Sequence, residues 1–312
     1  MSEHILVIKL SALGDFVQAL GPFQAIRRRH PDAEITLVTT RPFKELAEKS
    51  GYFDRVIADG RAQLREIKRI WRLRRFLVKG RFDMVYDLQT SDRTSMYYHL
   101  MWPHKPNWSG IAKGCSHPHA NPDRNRMHTI ERQAEQLAMA GIPDVPPPDV
   151  SWMNADLGRF NLPDRYALLI PGGAPHRPDK RWPAEKYGEL ARRLHDGHGL
   201  TPVVLGTQAE EAEAAAIQSA CPATISLLNQ TSLFEIASIA RMATCAIGND
   251  TGPMHIAAIA GAPSLVLYSH ASDPALCGQR GKKVDILRVA DLDALDVGEV
   301  ESRLAGLLPL AA

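Results

Sequence analysis

Short apolar runs alternate with helical patterns along the whole chain, and this alternation limits the folds open to it. Each run has the length of one buried strand, and apolar residues recur at helical spacing between successive runs. Parallel strands joined by crossover helices produce this pattern, because helices cover both faces of such a sheet. We therefore predict an α/β protein with doubly wound parallel sheets. Strands are expected at 4–10, 34–39, 55–58, 83–88, 165–170, 201–205, 244–248, 263–268 and 284–289, and helices at 15–30, 61–79, 126–140, 184–196, 208–219 and 232–242.

A proline-rich stretch from Ile142 to Asp149 is the expected boundary between two domains. Its three successive prolines fit neither a helix nor a central strand, and they stiffen a connection. The length of 312 residues suits about two domains, each with its own core. We predict Rossmann-like domains at residues 1–150 and 151–312 that face a central cleft.

Charge is divided unevenly between the two halves. Residues 1–150 contain 23 Lys and Arg against 17 Asp and Glu, a net charge of +6, and the remainder has a net charge of −4. A basic first half favours an anionic partner there. The four cysteines are scattered, which indicates neither a disulfide framework nor a zinc site. Without a signal-peptide pattern or a long apolar run, a cytoplasmic location is expected.

The second half contains two turns suited to anions. Gly248 to His255 joins an apolar strand to a helix, whose first N–H groups and dipole attract negative charge. Thr251 offers a hydroxyl, Gly252 permits close approach, and His255 lies near the same helix end. A glycine-rich turn after the strand at 165–170 leads to Lys180. Alone, Lys180 would be a solvated charge and His255 a structural histidine, but together the turns predict a diphosphate site.

In the first half, Lys9 to Asp15 follows the first strand and contains a single glycine. A dinucleotide site would carry G-x-G-x-x-G there, so neither a nicotinamide nor a flavin cofactor is predicted. Asp15 has two interpretations: an ordinary helix N-cap, or a general base beyond the carboxyl end of the strand. The histidines show no spacing typical of a metal site, so no metal is predicted.

The predicted helix at 61–79 is strongly basic, with Glu66 its only acid. One interpretation is a solvated face. The other is a face for a phosphate-rich acceptor or anionic lipid, because uncompensated cations repel one another. Nucleic acid is not predicted, since no recognised module is present and aromatic residues are not expected to interleave with the cations.

Four segments in register closely resemble the heptosyltransferases of glycosyltransferase family 9. They are Lys9 to Asp15, Asp179 to Pro183, Thr231 to Leu233 and Asn249 to His255. The resemblance implies a GT-B fold, with the acceptor in the N-terminal domain and the nucleotide sugar in the C-terminal one. It implies an inverting, metal-independent transfer of heptose from ADP-heptose to the inner core of lipopolysaccharide.

The resemblance also implies roles for individual residues. Asp15 resembles the general base, Lys180 the diphosphate-binding lysine, and Asp250 the residue that holds hydroxyls of the donor sugar. Thr251, Gly252 and His255 would line the phosphates. Acceptor contacts are assigned to Ser11, Arg61, Arg65 and Lys68.

The implied partners are a nucleotide-diphosphate sugar, an anionic glycolipid and the inner face of the cytoplasmic membrane, which the protein would contact peripherally. The chain departs from the family pattern at Ser226 to Asn229, where some members carry an acidic residue, and at 103–125. Three alternatives remain open: a nucleotide-sugar epimerase of the same fold, a non-catalytic nucleotide-sugar-binding protein and, least favoured, a dehydrogenase.

Overall fold

The computed structural model describes residues 2–58, 66–174 and 176–308. The chain divides into two compact units, Met1–Pro148 and Asp149–Ala312. Within the described ranges, no helix combines the length and the apolar character needed to cross a bilayer.

The first unit contains a parallel sheet of six strands in the order β3-β2-β1-β4-β5-β6. Its strands are β1 (His4–Ile8), β2 (Glu34–Val38), β3 (Arg55–Ile57), β4 (Met84–Asp87), β5 (Asn107–Gly110) and β6 (His117–Pro118). Its helices are α1 (Leu13–Gln18), α2 (Leu20–Arg29), α3 (Lys44–Lys49), α4 (Ile67–Lys79), α5 (Asp92–Leu100) and α6 (Thr129–Met139).

The second unit repeats this arrangement with the strand order β12-β11-β10-β7-β8-β9, again all parallel. Its strands are β7 (Tyr166–Ile170), β8 (Thr201–Val204), β9 (Ile225–Ser226), β10 (Cys245–Asn249), β11 (Ser264–Tyr268) and β12 (Val284–Arg288). Its helices are α7 (Ala184–His198), α8 (Glu211–Ala220), α9 (Leu233–Met242), α10 (Gly252–Ala260), α11 (Pro274–Cys277) and α12 (Val297–Ala305).

The central strands of each sheet are buried on both faces. In the first unit, Leu6 and Ile8 of β1 pack in a core that includes Leu77 of α4. In the second unit, Leu169 of β7 and Ile247 of β10 lie in a core with Trp182. Burial of this kind explains why these strands read as continuous apolar runs rather than as alternating patterns.

The nine predicted strands are confirmed, and the structure adds β5, β6 and β9. Two of the added strands have only two residues each, and β5 reads Asn-Trp-Ser-Gly, so none carries an apolar run. The predicted helix at 15–30 is divided into α1 and α2. Pro22 explains the break, because it has no N–H to donate to the carbonyl of Gln18 in a continuous helix. Of the predicted helix at 61–79, residues 61–65 lie outside the described part of the chain.

Candidate active site

The motif segments follow the strands at which each sheet reverses its order. In the first sheet the reversal lies between β1 and β4, and in the second between β7 and β10. Ligands of open parallel sheets bind beyond the carboxyl ends of the strands at such a reversal. The segment with Asp15 follows β1, Lys180 lies after β7, and Asp250 follows β10 directly. Each unit therefore has one candidate site at its own reversal.

Asn249, the last residue of β10, holds the second site together. Its side chain is fully buried, and its Nδ2 donates to the carbonyls of Pro171 at 2.7 Å and Gly172 at 3.2 Å. Its Oδ1 accepts from the Trp182 N–H and from the Tyr187 hydroxyl, both at 3.1 Å. These four bonds use the full capacity of the amide. They fix the glycine-rich turn and the segment bearing Lys180 against the end of β10.

Lys180 and Asp250 form a largely buried ion pair. Lys180 ends a short 3-10 turn, Pro178–Lys180, and its Nζ donates to Asp250 Oδ2 at 2.6 Å. The two side chains are 12% and 9% exposed. The structure therefore brings together two of the residues selected from the sequence, which are 70 positions apart. Lys180 is not a solvated surface charge.

Asp250 accepts four hydrogen bonds from side chains. Besides Lys180, Oδ2 accepts from the Ser272 hydroxyl at 2.9 Å. Oδ1 accepts from the Tyr268 hydroxyl at 2.9 Å and from Gln279 Nε2 at 3.3 Å. Burial alone would raise the pKa of the Asp250 carboxyl, but the hydrogen bond and charge of Lys180, with the Ser272 and Tyr268 bonds, hold it below its usual value. Asp250 is thus a stable carboxylate.

The start of α10 contains three of the residues selected from the sequence. Thr251 is the N-cap residue, but its hydroxyl makes no capping bond, and Oγ1 is buried without a hydrogen-bond partner among the described residues. Pro253 in the first turn has no N–H, and His255 is buried in the same turn. Unpaired N–H groups at a helix N-terminus attract anions. Thr251, Gly252 and His255 therefore lie at one helix start, where the sequence predicts a site for the phosphates.

Gly248 allows the two central strands to approach each other beside this helix. A Cβ at Gly248 would lie 2.7 Å from the carbonyl oxygen of Ile170 and 2.9 Å from Met254 Cγ. Gly173 is similarly close to Arg181, whose guanidinium donates to the Gly173 carbonyl and pairs with Glu213 at 2.7 Å. The glycine-rich turn is therefore held by Asn249 at Pro171 and Gly172 and by Arg181 at Gly173.

In the first unit, Asp15 lies in the first turn of α1. Its Oδ2 accepts the Ala12 N–H at 3.0 Å, and Ala12 is the N-cap residue. The interpretation of Asp15 as the cap itself is wrong, because it is the third helical residue and bonds back to the cap. Gln89 Oε1 accepts the Leu10 and Ser11 N–H groups at 2.8 and 3.2 Å. Ser11 and Gln89 help to line a cavity of about 280 Å³.

Two charged residues of this unit were not selected from the sequence. Lys9 follows β1 and Asp87 ends β4, and both are buried. Lys9 Nζ donates to the Leu88 carbonyl at 3.2 Å. Burial lowers the pKa of Lys9, although the negative charges of Asp15 and Asp87 act to raise it. Burial raises the pKa of Asp87 to about 6, although the Gln89 and Thr90 N–H groups bond its Oδ1. The sequence did contain one signal for these two residues, because each is a charged residue at the end of an apolar strand.

Of the assigned acceptor residues on the basic helix, Lys68 is exposed on α4. Arg61 and Arg65 lie outside the described residues. Glu66, the single acid of the predicted helix, forms an ion pair with Arg69 at 2.8 Å.

His, Cys, Asp and Glu side chains form no group of three or more that could hold a metal ion in the part of the chain that the structure describes.

Comparisons with known proteins identify the family of the chain. The family model for glycosyltransferase family 9 (heptosyltransferase) matches residues 70–304. Lipopolysaccharide heptosyltransferase 2 of Salmonella typhimurium is 26% identical over 296 residues, which cover 86% of this chain and 83% of that protein.

Solved structures share the fold along almost the whole chain. The E. coli ADP-heptose lps heptosyltransferase II has a TM-score of 0.79 at 22% identity, and the match covers 98% of both chains. The E. coli heptosyltransferase WaaC with ADP-2-deoxy-2-fluoro heptose has a TM-score of 0.76 at 21% identity, covering 97% of this chain and 99% of that one. The predicted fold of two Rossmann-like units, the GT-B fold, is confirmed. Because the family model spans most of the chain, this protein belongs to glycosyltransferase family 9 (heptosyltransferase) and is a glycosyltransferase.

Proposed function

We propose that this enzyme transfers a heptose from ADP-heptose to the inner core of lipopolysaccharide, with inversion and without a metal ion. The observation that carries the proposal is the buried Lys180–Asp250 pair. Lys180 lies after β7, and Asp250 lies between the end of β10 and the start of α10, where the N-cap residue makes no side-chain capping bond. A relative with this fold binds an ADP-heptose analogue, and another is a lipopolysaccharide heptosyltransferase.

The diphosphate of the donor would bind in the second unit. The ammonium of Lys180 and the N–H groups at the start of α10 supply positive charge, and the Thr251 hydroxyl supplies a donor without another partner in the described chain. As the bond to the sugar breaks, negative charge grows on the leaving phosphate. Donors held in advance stabilise that charge without reorganising, and in many enzymes this effect contributes most of the rate enhancement. This supports a reaction that needs no metal.

Asp250 requires a more specific role than the resemblance implies. Its two oxygens accept four bonds, which match the number of lone-pair sites of a carboxylate. A sugar hydroxyl could bind Asp250 only if one of these donors gave way. We therefore assign to Asp250 first the positioning of Lys180, with contact to the sugar as its second role.

Asp15 is the proposed general base. It would accept the proton of an acceptor hydroxyl as that oxygen attacks the anomeric carbon opposite the diphosphate. Its bond to the Ala12 N–H uses Oδ2 and fixes the carboxylate. Ser11 and Lys68 are proposed acceptor contacts, with Arg61 and Arg65 retained from the resemblance. A glycolipid acceptor is anchored in a bilayer, so the enzyme would work as a peripheral protein at the cytoplasmic face of the inner membrane.

The test compares Asp15→Asn with Asp92→Asn, an exposed acid in the first turn of α5 in the same unit. Loss of a positioned base costs about 10²–10⁴-fold in turnover, so we expect that loss for Asp15→Asn alone. Near-full transfer by Asp15→Asn would remove it from this role. Omitting the acceptor distinguishes the epimerase alternative, because an epimerase still converts the nucleotide sugar. Loss of transfer in EDTA, restored by a divalent cation, would contradict the metal-independent mechanism.

A further inference from the structure

Large apolar side chains are exposed together on one side of the first unit. Ile67 and Trp71 of α4 are 66% and 64% exposed, and Trp102, after α5, is 67% exposed. Among the described residues, the other exposed large apolar side chains are Met139 at 42% and Met242 at 64%. Exposed tryptophan is costly in water, and a contiguous apolar patch marks an interaction surface.

The two elements that carry these side chains are in contact. Arg74 Nη2 donates to the Trp102 carbonyl at 3.2 Å, which joins the middle of α4 to the segment after α5. Trp71, Arg74 and Val78 line one cavity of about 450 Å³. Val78 also lines a second cavity of about 570 Å³ with Lys105. The backbone at Trp102 is therefore tied to the turn of α4 that follows Trp71.

Two rows run side by side along α4. Residues 67, 71, 74 and 78 repeat at helical spacing, and this row consists of Ile67, Trp71, Arg74 and Val78. The neighbouring row at 68, 72, 75 and 79 consists entirely of Lys and Arg, and all four side chains are exposed. Leu73 and Leu77 are buried on a different face and anchor the helix to the core. A largely apolar row beside a cationic row is typical of helices that lie in a membrane interface, and the one cation in the apolar row, Arg74, is bonded to the Trp102 carbonyl.

Charge decides which partner fits this face. The 13 residues of α4 include six Lys and Arg and no acid. Trp is favoured at the headgroup level of bilayers, where one part of the ring is buried and the N–H stays hydrated. We propose that this face, defined by Ile67, Trp71, Trp102 and the row Lys68, Arg72, Arg75 and Lys79, inserts into the surface of a bilayer rich in anionic lipid. The expectation that no aromatic residue interleaves with the cations is wrong at Trp71.

This inference deepens the peripheral membrane position of the proposed function, but the test of lipid binding needs neither donor nor acceptor. The full-length protein is sedimented with vesicles of phosphatidylglycerol and phosphatidylcholine, or of phosphatidylcholine alone. We expect binding to the anionic vesicles only. Trp71→Ser and Trp102→Ser should each weaken it about tenfold, because each removes one inserted side chain. Arg75→Gln should weaken it about fivefold, an effect that salt reduces.

Met242→Ser is the matched control, because it removes a side chain with 64% exposure from α9 of the second unit. It should bind vesicles like the unmodified protein. Lipids brominated along their acyl chains should quench fluorescence of the unmodified protein, and the quenching should fall in the double variant of Trp71 and Trp102. Trp108, Trp152 and Trp182 cannot account for that change, because all three remain in the double variant.

Several results would overturn the inference. These are absence of binding to anionic vesicles, equal binding to neutral ones, or undiminished binding by the double tryptophan variant. If the unmodified protein self-associates and Trp71→Ser makes it monomeric, the face binds a second copy of the chain. If RNA displaces the protein from vesicles at equal charge, the face binds nucleic acid. Transfer to a deacylated, water-soluble acceptor should be unchanged in Trp71→Ser. Failure of transfer in the unmodified protein would count against the proposed function and not against the lipid surface.

Discussion

Replacing Lys180 by alanine should weaken nucleotide binding and destabilise the second unit. Its Nζ lies 2.6 Å from Asp250 Oδ2, and the carboxylate is only 9% exposed. Removing one partner of a buried pair costs about 3–5 kcal/mol, because the other charge stays buried. Ser272, Tyr268 and Gln279 still donate to Asp250, so we expect the lower end, about 3 kcal/mol. Loss of a charged hydrogen bond to the diphosphate is worth about 1.5–3 kcal/mol, or roughly ten- to a hundredfold in the Kd for ADP.

The double variant Lys180→Ala/Asp250→Asn separates these two effects. It removes the unpaired carboxylate, so urea unfolding should recover most of the lost stability while calorimetry still finds weak ADP binding. Lys186→Ala is the matched control, since Lys186 Nζ donates to the carbonyls of Asp293 and Leu295 at 2.6 and 2.8 Å in the same unit. It should keep its ADP affinity. Unchanged ADP affinity in Lys180→Ala, or recovery of that affinity in the double variant, would refute the assignment of Lys180 to the diphosphate.

Three further variants test other parts of the structure. Thr251→Val should weaken ADP binding up to about tenfold without lowering the unfolding free energy, because the buried hydroxyl has no partner among the described residues; equal affinity would exclude a bond to the nucleotide. Gly248→Ala should cost about 1–3 kcal/mol in urea unfolding, since its Cβ would lie 2.7 Å from the Ile170 oxygen, whereas Gly197→Ala in α7 meets nothing within 4 Å and should stabilise. Asp87 has its pKa raised from 3.8 to about 6 by burial, so its contribution to stability is present below pH 3.8 and is lost as pH rises through about 6. The unfolding free energy of Asp87→Asn, relative to that of the unmodified protein, should therefore rise by about 2 kcal/mol between pH 4 and pH 7. A difference that stays constant over this range would contradict the raised pKa.

Nine of the twelve strands in the two sheets, and the turns where the site is proposed, could be located from the sequence. Apolar runs located nine strands because strands such as β7 and β10 are buried on both faces, and burial leaves a continuous apolar signal. Thr251 and Gly252 were recognisable because a strand-to-helix turn has its own local chemistry. The two-residue strands β6 and β9 had no such signal, since a pair of residues defines no period.

What sequence reasoning missed depends on contacts between distant residues. Ser272 and Gln279 lie 22 and 29 positions from Asp250, and only the packing of the segments after β11 brings them to its carboxylate. Lys9 and Asp87 were missed for a related reason. The register that aligns Ile8 of β1 with Asp87 of β4 brings the two charges near each other, and no local pattern encodes that register.

The two units have the same strand order, but the buried carboxyls at their reversals have pKa values shifted in opposite directions. At the reversal of the second sheet, Lys180 holds the pKa of Asp250 below its usual value, so the carboxylate stays ionised beside that lysine. At the reversal of the first sheet, burial dominates and the pKa of Asp87 rises to about 6 beside a lysine whose pKa is lowered. A lysine fixed by an ionised carboxylate suits an anionic ligand, whereas a carboxyl whose pKa lies nearer neutrality is typical of a place where protons are transferred. This contrast supports binding of the diphosphate by the second unit and deprotonation of the acceptor by the first.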